Sequence, residues 1–238
     1  MSEIKVNSIK GVAASSAAIS INNTDGTCTA NLSNYTKHNY LINGNFHCWQ
    51  RGTSQTADGY GSVDRWYLNL SGGAGTVSRQ TFAGADIIDG SKYYTNMNMT
   101  TGNDYCTLRQ KIEDVTSIPA GSVTVSFYAK FTSAQPTGGI AVQLVQDFGS
   151  GGSSDVLITE QSITATTSWA RYEMTFTIPS LSGKTIGANS HLLFVIGQNA
   201  TSGTSAFNID LANIQLEVGT KASGFQIRSF GQELALCQ

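Results

Sequence analysis

Apolar and polar residues alternate along several stretches of the chain, as they do in β-strands that bury one face. The clearest stretches are 122–131 and 171–178. In the first, the odd-numbered positions carry Val123, Val125 and Phe127, whereas Thr, Ser, Tyr and Lys occupy the even-numbered positions. Both stretches therefore predict long strands with one face toward a core and the other toward solvent.

The parity of the apolar positions changes near the end of the chain. Apolar residues are odd-numbered from Phe207 to Leu211 but even-numbered from Ile214 to Val218. An extra residue in a strand produces such a shift, because side chains alternate with a period of two. The sequence therefore predicts a β-bulge or bend near 212–213.

Further half-buried strands are predicted at 105–112 and 140–144. The remaining alternating runs bring the total to about ten strands, and no convincing amphipathic helix accompanies them. Strands with a single apolar face pack in two layers. The predicted fold class is all-β, a jelly-roll-like two-sheet β-sandwich preceded by an extended N-terminal arm. The pattern does not fix the order of the strands.

The N-terminal region differs from the rest, since it has no aromatic residue before Tyr35 and is rich in Ala, Ser, Asn and Thr. Such a segment buries too little apolar surface to order itself alone. It is either a disordered tail or a segment that packs its small residues against copies of itself or another protein. The alternation of Ile19 and Ile21 favours an extended form. We predict an arm at 1–38 and a β-sandwich head at 39–238.

Composition and charge narrow the functional classes. Charged residues make up 13% of the chain and the net charge is −2, so no basic surplus is present to neutralise phosphates. Nucleic acid is not an expected partner, and the absence of a long apolar run argues against membrane insertion. The 4 cysteines lie far apart without a CxxC pair, which favours buried free thiols over a zinc site or a disulfide framework.

The search for catalytic motifs is negative, and we predict that the chain is not an enzyme. HExxH, GxSxG and Walker-type patterns are absent. His47 and Cys48 are adjacent, which places their side chains on opposite faces of a strand rather than together as a dyad. Asp64, Asp210 and Glu217 could bind Ca²⁺, although carboxylates in such turns more often accept backbone hydrogen bonds. No cofactor and no metal are expected.

Outward-facing aromatic residues are the most informative candidates for binding. Sugars stack on flat aromatic faces and hydrogen-bond to planar polar side chains. On this reasoning, the candidate ligand-binding residues are Tyr105, Arg109, Tyr128, Lys130, Gln143, Tyr93 and Tyr94. The alternative is that outward tyrosines pack against a neighbouring subunit or cover the sheet. The three tryptophans, Trp49, Trp66 and Trp169, are expected in the core or at corners.

Several short motifs occur in a characteristic order. They are Asn43-Gly44-Asn45-Phe46, Trp49-Gln50-Arg51-Gly52, Asp64-Arg65-Trp66, Gln215-Leu216-Glu217-Val218-Gly219 and Glu233-Leu234-Ala235-Leu236-Cys237-Gln238. Together they resemble a domain of bacteriophage tail fibres, in which the last motif continues with Arg-Tyr-Tyr. The strand 123–131 is similar to one in jelly-roll carbohydrate-binding modules. Residues 1–26 look like the N-termini of short phage fibres.

The resemblance implies a virion appendage, on tail or capsid, assembled in the host cytoplasm. It implies a homotrimer whose N-terminal arm attaches to other virion proteins and whose head contacts a host cell-surface glycan. One alternative is a decorating fibre without a receptor role. Another is a free carbohydrate-binding module or a small glycan hydrolase.

Overall fold

The computed structural model describes residues 38–101, 105–198 and 206–238, together with the short pieces 8–9, 19–21, 24 and 28–30. The chain divides into two compact units, 1–36 and 37–238. The first unit contains an antiparallel sheet in the order β1-β2-β3, formed by β1 (Ser8–Ile9), β2 (Ile19–Ile21) and β3 (Cys28–Ala30). The role of this region as an attachment arm stays a prediction.

The second unit consists of two antiparallel sheets of six strands each. The first sheet has the order β11-β10-β14-β8-β5, with β12 also paired to β10, and the second has the order β13-β9-β15-β7-β6-β4. The strands are β4 (Ser54–Gln55), β5 (Tyr67–Ser71), β6 (Gly75–Thr81), β7 (Tyr93–Met99), β8 (Tyr105–Glu113), β9 (Gly121–Phe131), β10 (Ile140–Asp147), β11 (Val156–Leu157), β12 (Gln161–Ile163), β13 (Ala170–Ile178), β14 (His191–Gln198) and β15 (Phe207–Val218). This architecture confirms the predicted all-β sandwich.

The core lies between the two sheets and follows the predicted alternation. Val125 and Phe127 of β9 are fully buried, and so are Leu108 of β8 and Phe194 of β14 from the other sheet. Trp66 is also fully buried and packs against Phe194, with ring centroids 5.8 Å apart. Burial of this many large side chains is the main stabilising term for such a fold.

The predicted irregularity in the last strand is present. The register between β15 and β9 shifts between Ala212 and Gln215, and Asn213 adopts a positive φ of 50°. Ser91 Oγ and Asn213 Oδ1 are hydrogen-bonded at 2.7 Å, which holds the bulged residue. Because of the bulge, the odd-numbered apolar residues before it and the even-numbered apolar residues after it point into the same core.

A short helix, α1 (Phe230–Leu236), was not predicted. Its first turn is closed by a capping box, in which Ser229 and Gln232 exchange side-chain to backbone hydrogen bonds. Glu233 is buried, accepts a hydrogen bond from the Asn43 amide and lies 3.3 Å from Arg228. These contacts join the last motif of the sequence to the first. No helix among the described residues is long and apolar enough to span a membrane.

Candidate functional site

One outward surface of the sandwich is the side of the first sheet that points away from the core, and we call it the open face. The strand register brings its side chains into line. Tyr67 on β5 pairs with Arg109 on β8, and Arg109 pairs with Val195 on β14. Val195 in turn pairs with Gln143 on β10. Because neighbouring strands lie about 4.8 Å apart, these four residues form a row about 14 Å long.

A second row runs parallel to the first, two residues further along the strands. It consists of Lys111, Leu193, Val145 and Leu157, one residue from each of four paired strands. Leu157 is 67% exposed at the far edge of the sheet, and Leu193 is half-buried. The open face therefore has an apolar floor between polar side chains, as is usual in small-molecule sites.

An aromatic pair forms one edge of the open face. A backbone bridge from Gly59 to Leu68 sets the loop residue Tyr60 beside Tyr67. The two rings make an edge-to-face contact with centroids 5.2 Å apart, and Tyr60 is 45% exposed. A partly exposed ring held by a second ring provides a rigid apolar surface for a ligand.

Arg109 is the charged centre of the row. Its Nε–H donates to Thr107 Oγ1 at 3.0 Å, and its guanidinium carbon lies 5.6 Å from the Tyr105 ring centroid. Burial lowers the pKa of Arg109, and the nearby Tyr105 and Tyr67 partly offset this. Within the described residues, no carboxylate forms an ion pair with it. A planar donor fork that forms no direct ion pair can bind hydroxyl or carboxylate oxygens in pairs.

A cavity of about 390 Å³ on the open face is lined by Tyr60, Tyr67, Arg109, Lys111 and Leu193. Besides the residues already named, Asn69, Asp147 and His191 contribute to its wall. His191 Nε2 lies 3.4 Å from Asp147 Oδ2, and its Nδ1 is 3.1 Å from the Asn189 carbonyl oxygen. Tyrosines therefore form one side of the cavity, while an imidazole–carboxylate pair forms another.

The sequence-predicted binding residues fall into three places. Tyr105, Arg109 and Gln143 lie on the open face. Tyr128, Lys130 and Tyr94 lie on the outward side of the second sheet, which faces the opposite direction. Tyr93 lies at one end of the sandwich, where Arg79 and Lys92 contact its ring. The structure thus does not bring the seven residues together.

The second-sheet group is packed into a compact cluster. Lys130 Nζ lies 3.7 Å from Asp210 Oδ2 and 5.0 Å from the Trp169 ring centroid. The Tyr94 ring is 5.2 Å from Trp169 in an edge-to-face contact, and Phe82 packs against both. The side chains of Lys130 and Tyr94 therefore already have intramolecular partners.

Sequence reasoning missed Tyr67 and Asn69 as functional candidates. Both lie on the short strand β5, whose Tyr-Leu-Asn-Leu alternation was available as a signal. The sequence around Tyr60 carries no local signal for the bridge between Gly59 and Leu68 that sets Tyr60 beside β5. Among the described residues, no group of three or more His, Cys, Asp and Glu side chains could hold a metal ion.

The sequence profile of the family described as carbohydrate binding domain matches residues 38–191, a range that includes Tyr60, Tyr67, Arg109 and Gln143. Among curated proteins, none matches this sequence.

Several solved structures have a similar fold. One is the enzymatically active domain of tailspike protein 4 of bacteriophage CBA120, with 14% identity and a TM-score of 0.46 over 75% of this chain and 21% of that chain. Another is a putative sugar binding protein from Bacteroides thetaiotaomicron, with 12% identity and a TM-score of 0.47 over 76% and 99% of the two chains. A family 11 carbohydrate-binding module from Clostridium thermocellum, in complex with a mixed-linked tetrasaccharide, has 19% identity and a TM-score of 0.43 over 71% and 98%.

Proposed function

The chain belongs to the carbohydrate binding domain family, and we propose that it binds a glycan along the open face. The observation that carries the proposal is the row of Tyr67, Arg109, Val195 and Gln143, which the strand register places across four strands. A row about 14 Å long is long enough for several consecutive sugar residues. The ligand would run across the strands.

The open face offers several contacts that sugars use. The Tyr60–Tyr67 edge provides aromatic surface for pyranose C–H groups. Arg109 and Gln143 provide planar hydrogen-bonding groups for hydroxyl oxygens. Leu193 is half-buried and lines the cavity, where it forms an apolar floor on which a flat sugar face can lie. This combination of apolar surface and a few polar groups gives affinity and orientation together.

We propose further that the site binds without hydrolysing. A glycosidase needs one carboxyl group as acid and another as base or nucleophile across the scissile bond. On the open face, Asp147 is paired with His191, and Glu113 lies 3.3 Å from Arg65. Carboxylates engaged in this way support a binding role.

For the biological setting, we propose a homotrimeric virion appendage that uses the open face to contact a host-surface glycan. This rests on the motif order from Asn43 to Glu233 and on the small-residue composition of the first 38 residues. Threefold symmetry would present three equivalent open faces around one axis. Weak contacts to three glycans would gain avidity of about 10²–10⁴-fold if all are engaged together. A free carbohydrate-binding module is the second candidate, because the family match concerns carbohydrate binding alone.

The glycan proposal is tested by screening the protein on an array of bacterial surface glycans and then measuring affinity for the best ligand. We expect Tyr60→Ala and Arg109→Gln each to weaken binding by about tenfold or more, which corresponds to about 1.4 kcal/mol. Tyr128→Ala, on the opposite sheet, is the matched control and should bind normally. Loss of binding in Tyr128→Ala with retention in Arg109→Gln would place the site on the second sheet.

The proposal of a homotrimeric virion appendage is tested separately. Light scattering of the purified chain should give three times the 25.2 kDa chain mass. A single-chain mass for the complete protein, together with release of reducing sugars from the bound glycan, would contradict both the fibre and the non-catalytic proposals.

A further inference from the structure

A second cavity, of about 500 Å³, lies at one end of the sandwich. It is bounded by strand β6, the start of β7, the segment 47–50 and helix α1. None of these elements contributes to the row on the open face. Cavities of this size are typical of small-molecule sites. The open-face proposal does not use it.

The cavity has an excess of positive charge. Arg79 lies with its guanidinium carbon 4.5 Å from the Tyr93 ring centroid, and Lys92 Nζ lies 5.0 Å from the same point. The lining residues include no aspartate or glutamate. Within the described part of the chain, neither cation forms an ion pair with a carboxylate. The tyrosine ring stabilises each cation only modestly.

An imidazole also lines the cavity. It belongs to His47, whose Nε2 accepts a hydrogen bond from the Lys92 backbone amide at 3.4 Å. Burial lowers the pKa of His47, which favours the neutral ring. A neutral ring that accepts at Nε2 carries its proton on Nδ1. That buried Nδ1 has no hydrogen-bond partner among the described residues and is closed to solvent, so His47 contributes only the surface of its ring to the cavity.

Other residues of the lining are apolar. Phe230 of α1 is 57% exposed and faces the same cavity as Arg79 and Lys92. Leu234, one turn further along the helix, and Trp49 complete this apolar part of the lining. An aromatic ring with this much accessible surface suits the flat C–H side of a six-membered ring.

We propose that this cavity binds a hexuronic acid, either free or as one residue of an acidic glycan. Its carboxylate would accept charge-assisted hydrogen bonds from Arg79 and Lys92, and its ring would lie against Phe230. The two cations, which form no ion pair with a carboxylate among the described residues, then gain a counter-charge. A neutral hexose lacks the anionic group and a simple inorganic anion lacks the apolar face.

The test is an NMR titration of the full chain with glucuronate, with glucose and inorganic phosphate as comparison ligands. We expect glucuronate to bind and to be weakened about tenfold by Arg79→Gln and by Lys92→Gln. Phe230→Ala should weaken glucuronate without affecting any phosphate binding. Lys184→Gln removes a distant exposed charge and serves as the control, with unchanged affinity.

Three results would overturn the proposal. They are no glucuronate binding, equal affinity for glucose, or phosphate affinity equal to that of glucuronate together with no effect of Phe230→Ala. Thermal midpoints of the variants distinguish lost binding from lost folding, and Lys92→Gln changes an exposed side chain that the fold does not require. Because Arg109→Gln leaves this cavity intact, failure here and failure on the open face are separate outcomes.

Discussion

The backbones of Gly44 and Ile214 lie against each other without room for a side chain. The Ile214 amide donates a hydrogen bond to the Gly44 carbonyl oxygen at 2.9 Å. A Cβ atom added at Gly44 would lie 2.1 Å from the Ile214 carbonyl oxygen. This contact explains why the first sequence motif contains a glycine, and it connects that motif to the bulged strand β15.

Gly44→Ala should therefore destabilise the sandwich strongly, because the clash is with backbone rather than with a side chain that can move. We expect a loss of more than about 2 kcal/mol in the free energy of unfolding, measured by urea denaturation. Gly231→Ala is the matched control, since nothing lies within 4 Å of its added Cβ. In the helix α1 that control should be neutral or stabilising. Equal stability of the two variants would contradict the close approach.

Breaking the buried ion pair of Glu233 and Arg228 should lower the free energy of unfolding strongly. The Glu233 side chain is 3% exposed and that of Arg228 is 13% exposed, at a separation of 3.3 Å. Glu233→Gln leaves the guanidinium without its counter-charge, so the free energy of unfolding should fall by about 3 kcal/mol. Glu113→Gln breaks an exposed pair with Arg65 and should cost less than about 1 kcal/mol. Similar losses in the two variants would show that burial does not set the cost.

The strands in which apolar and polar residues alternate along the whole length could be predicted from the sequence. β9 and β13 alternate over many residues, and the bulge in β15 follows from the parity change on either side of Ala212. Helix α1 was missed because a seven-residue helix gives too little periodicity to recognise. Only its Ser229 and Gln232 capping positions carried a local signal.

The open face could be predicted only in part, because its residues come together through long-range pairing. Tyr105 and Arg109 show their outward direction within a single strand. The alignment of Arg109 with Tyr67 and Gln143 depends on the strand order, which local pattern does not contain. For the same reason, Tyr128 on the second sheet looked equivalent to Tyr105.

A lysine substitution at Arg109 tests whether the glycan is bound by the positive charge of the guanidinium group or by its planar shape. Arg109→Lys keeps a cation on the open face but loses the planar donor fork and the Nε–H bond to Thr107. If the fork orients sugar hydroxyls, glycan affinity should fall nearly as far in Arg109→Lys as in Arg109→Gln, by about tenfold in calorimetry. Full affinity in the lysine variant would mean that charge alone is recognised.

The core cysteines should be unreactive in the folded protein. Cys48, Cys106 and Cys237 are free and buried, and burial raises the pKa of each thiol. Since the thiolate is the reactive form, a Cys28→Ser variant should react with a thiol reagent only after unfolding. The measurement compares labelling in native buffer with labelling in denaturant. Rapid native labelling at any of the three would show that its site opens without global unfolding.

The buried carboxyl group of Asp210 should make the free energy of unfolding depend on pH in a known direction. It is 4% exposed, and burial raises the pKa of its carboxyl group above the ordinary value of 3.8. The hydrogen bond from Asn96 at 2.6 Å and the nearby Lys130 offset this only in part. As the pH rises above 3.8, the unfolded chain loses this proton before the folded chain does. The contribution of Asp210 to stability is therefore present below that pH and is lost as the pH rises through the folded pKa.

Asp210→Asn removes this titration while keeping a side chain of the same shape. The difference in free energy of unfolding, variant minus wild type, should become more favourable to the variant across that acidic window and then level off. Denaturant titrations at a series of pH values give this difference directly. Lys130 lies beside the Asp210 carboxylate and loses this partner in the variant. The loss offsets the difference in free energy of unfolding at high pH, but it does not change the direction in which that difference varies with pH. A difference that moves toward the wild type as the pH rises would mean that Lys130 and Asn96 outweigh burial, and that Asp210 is stabilising as the charged form.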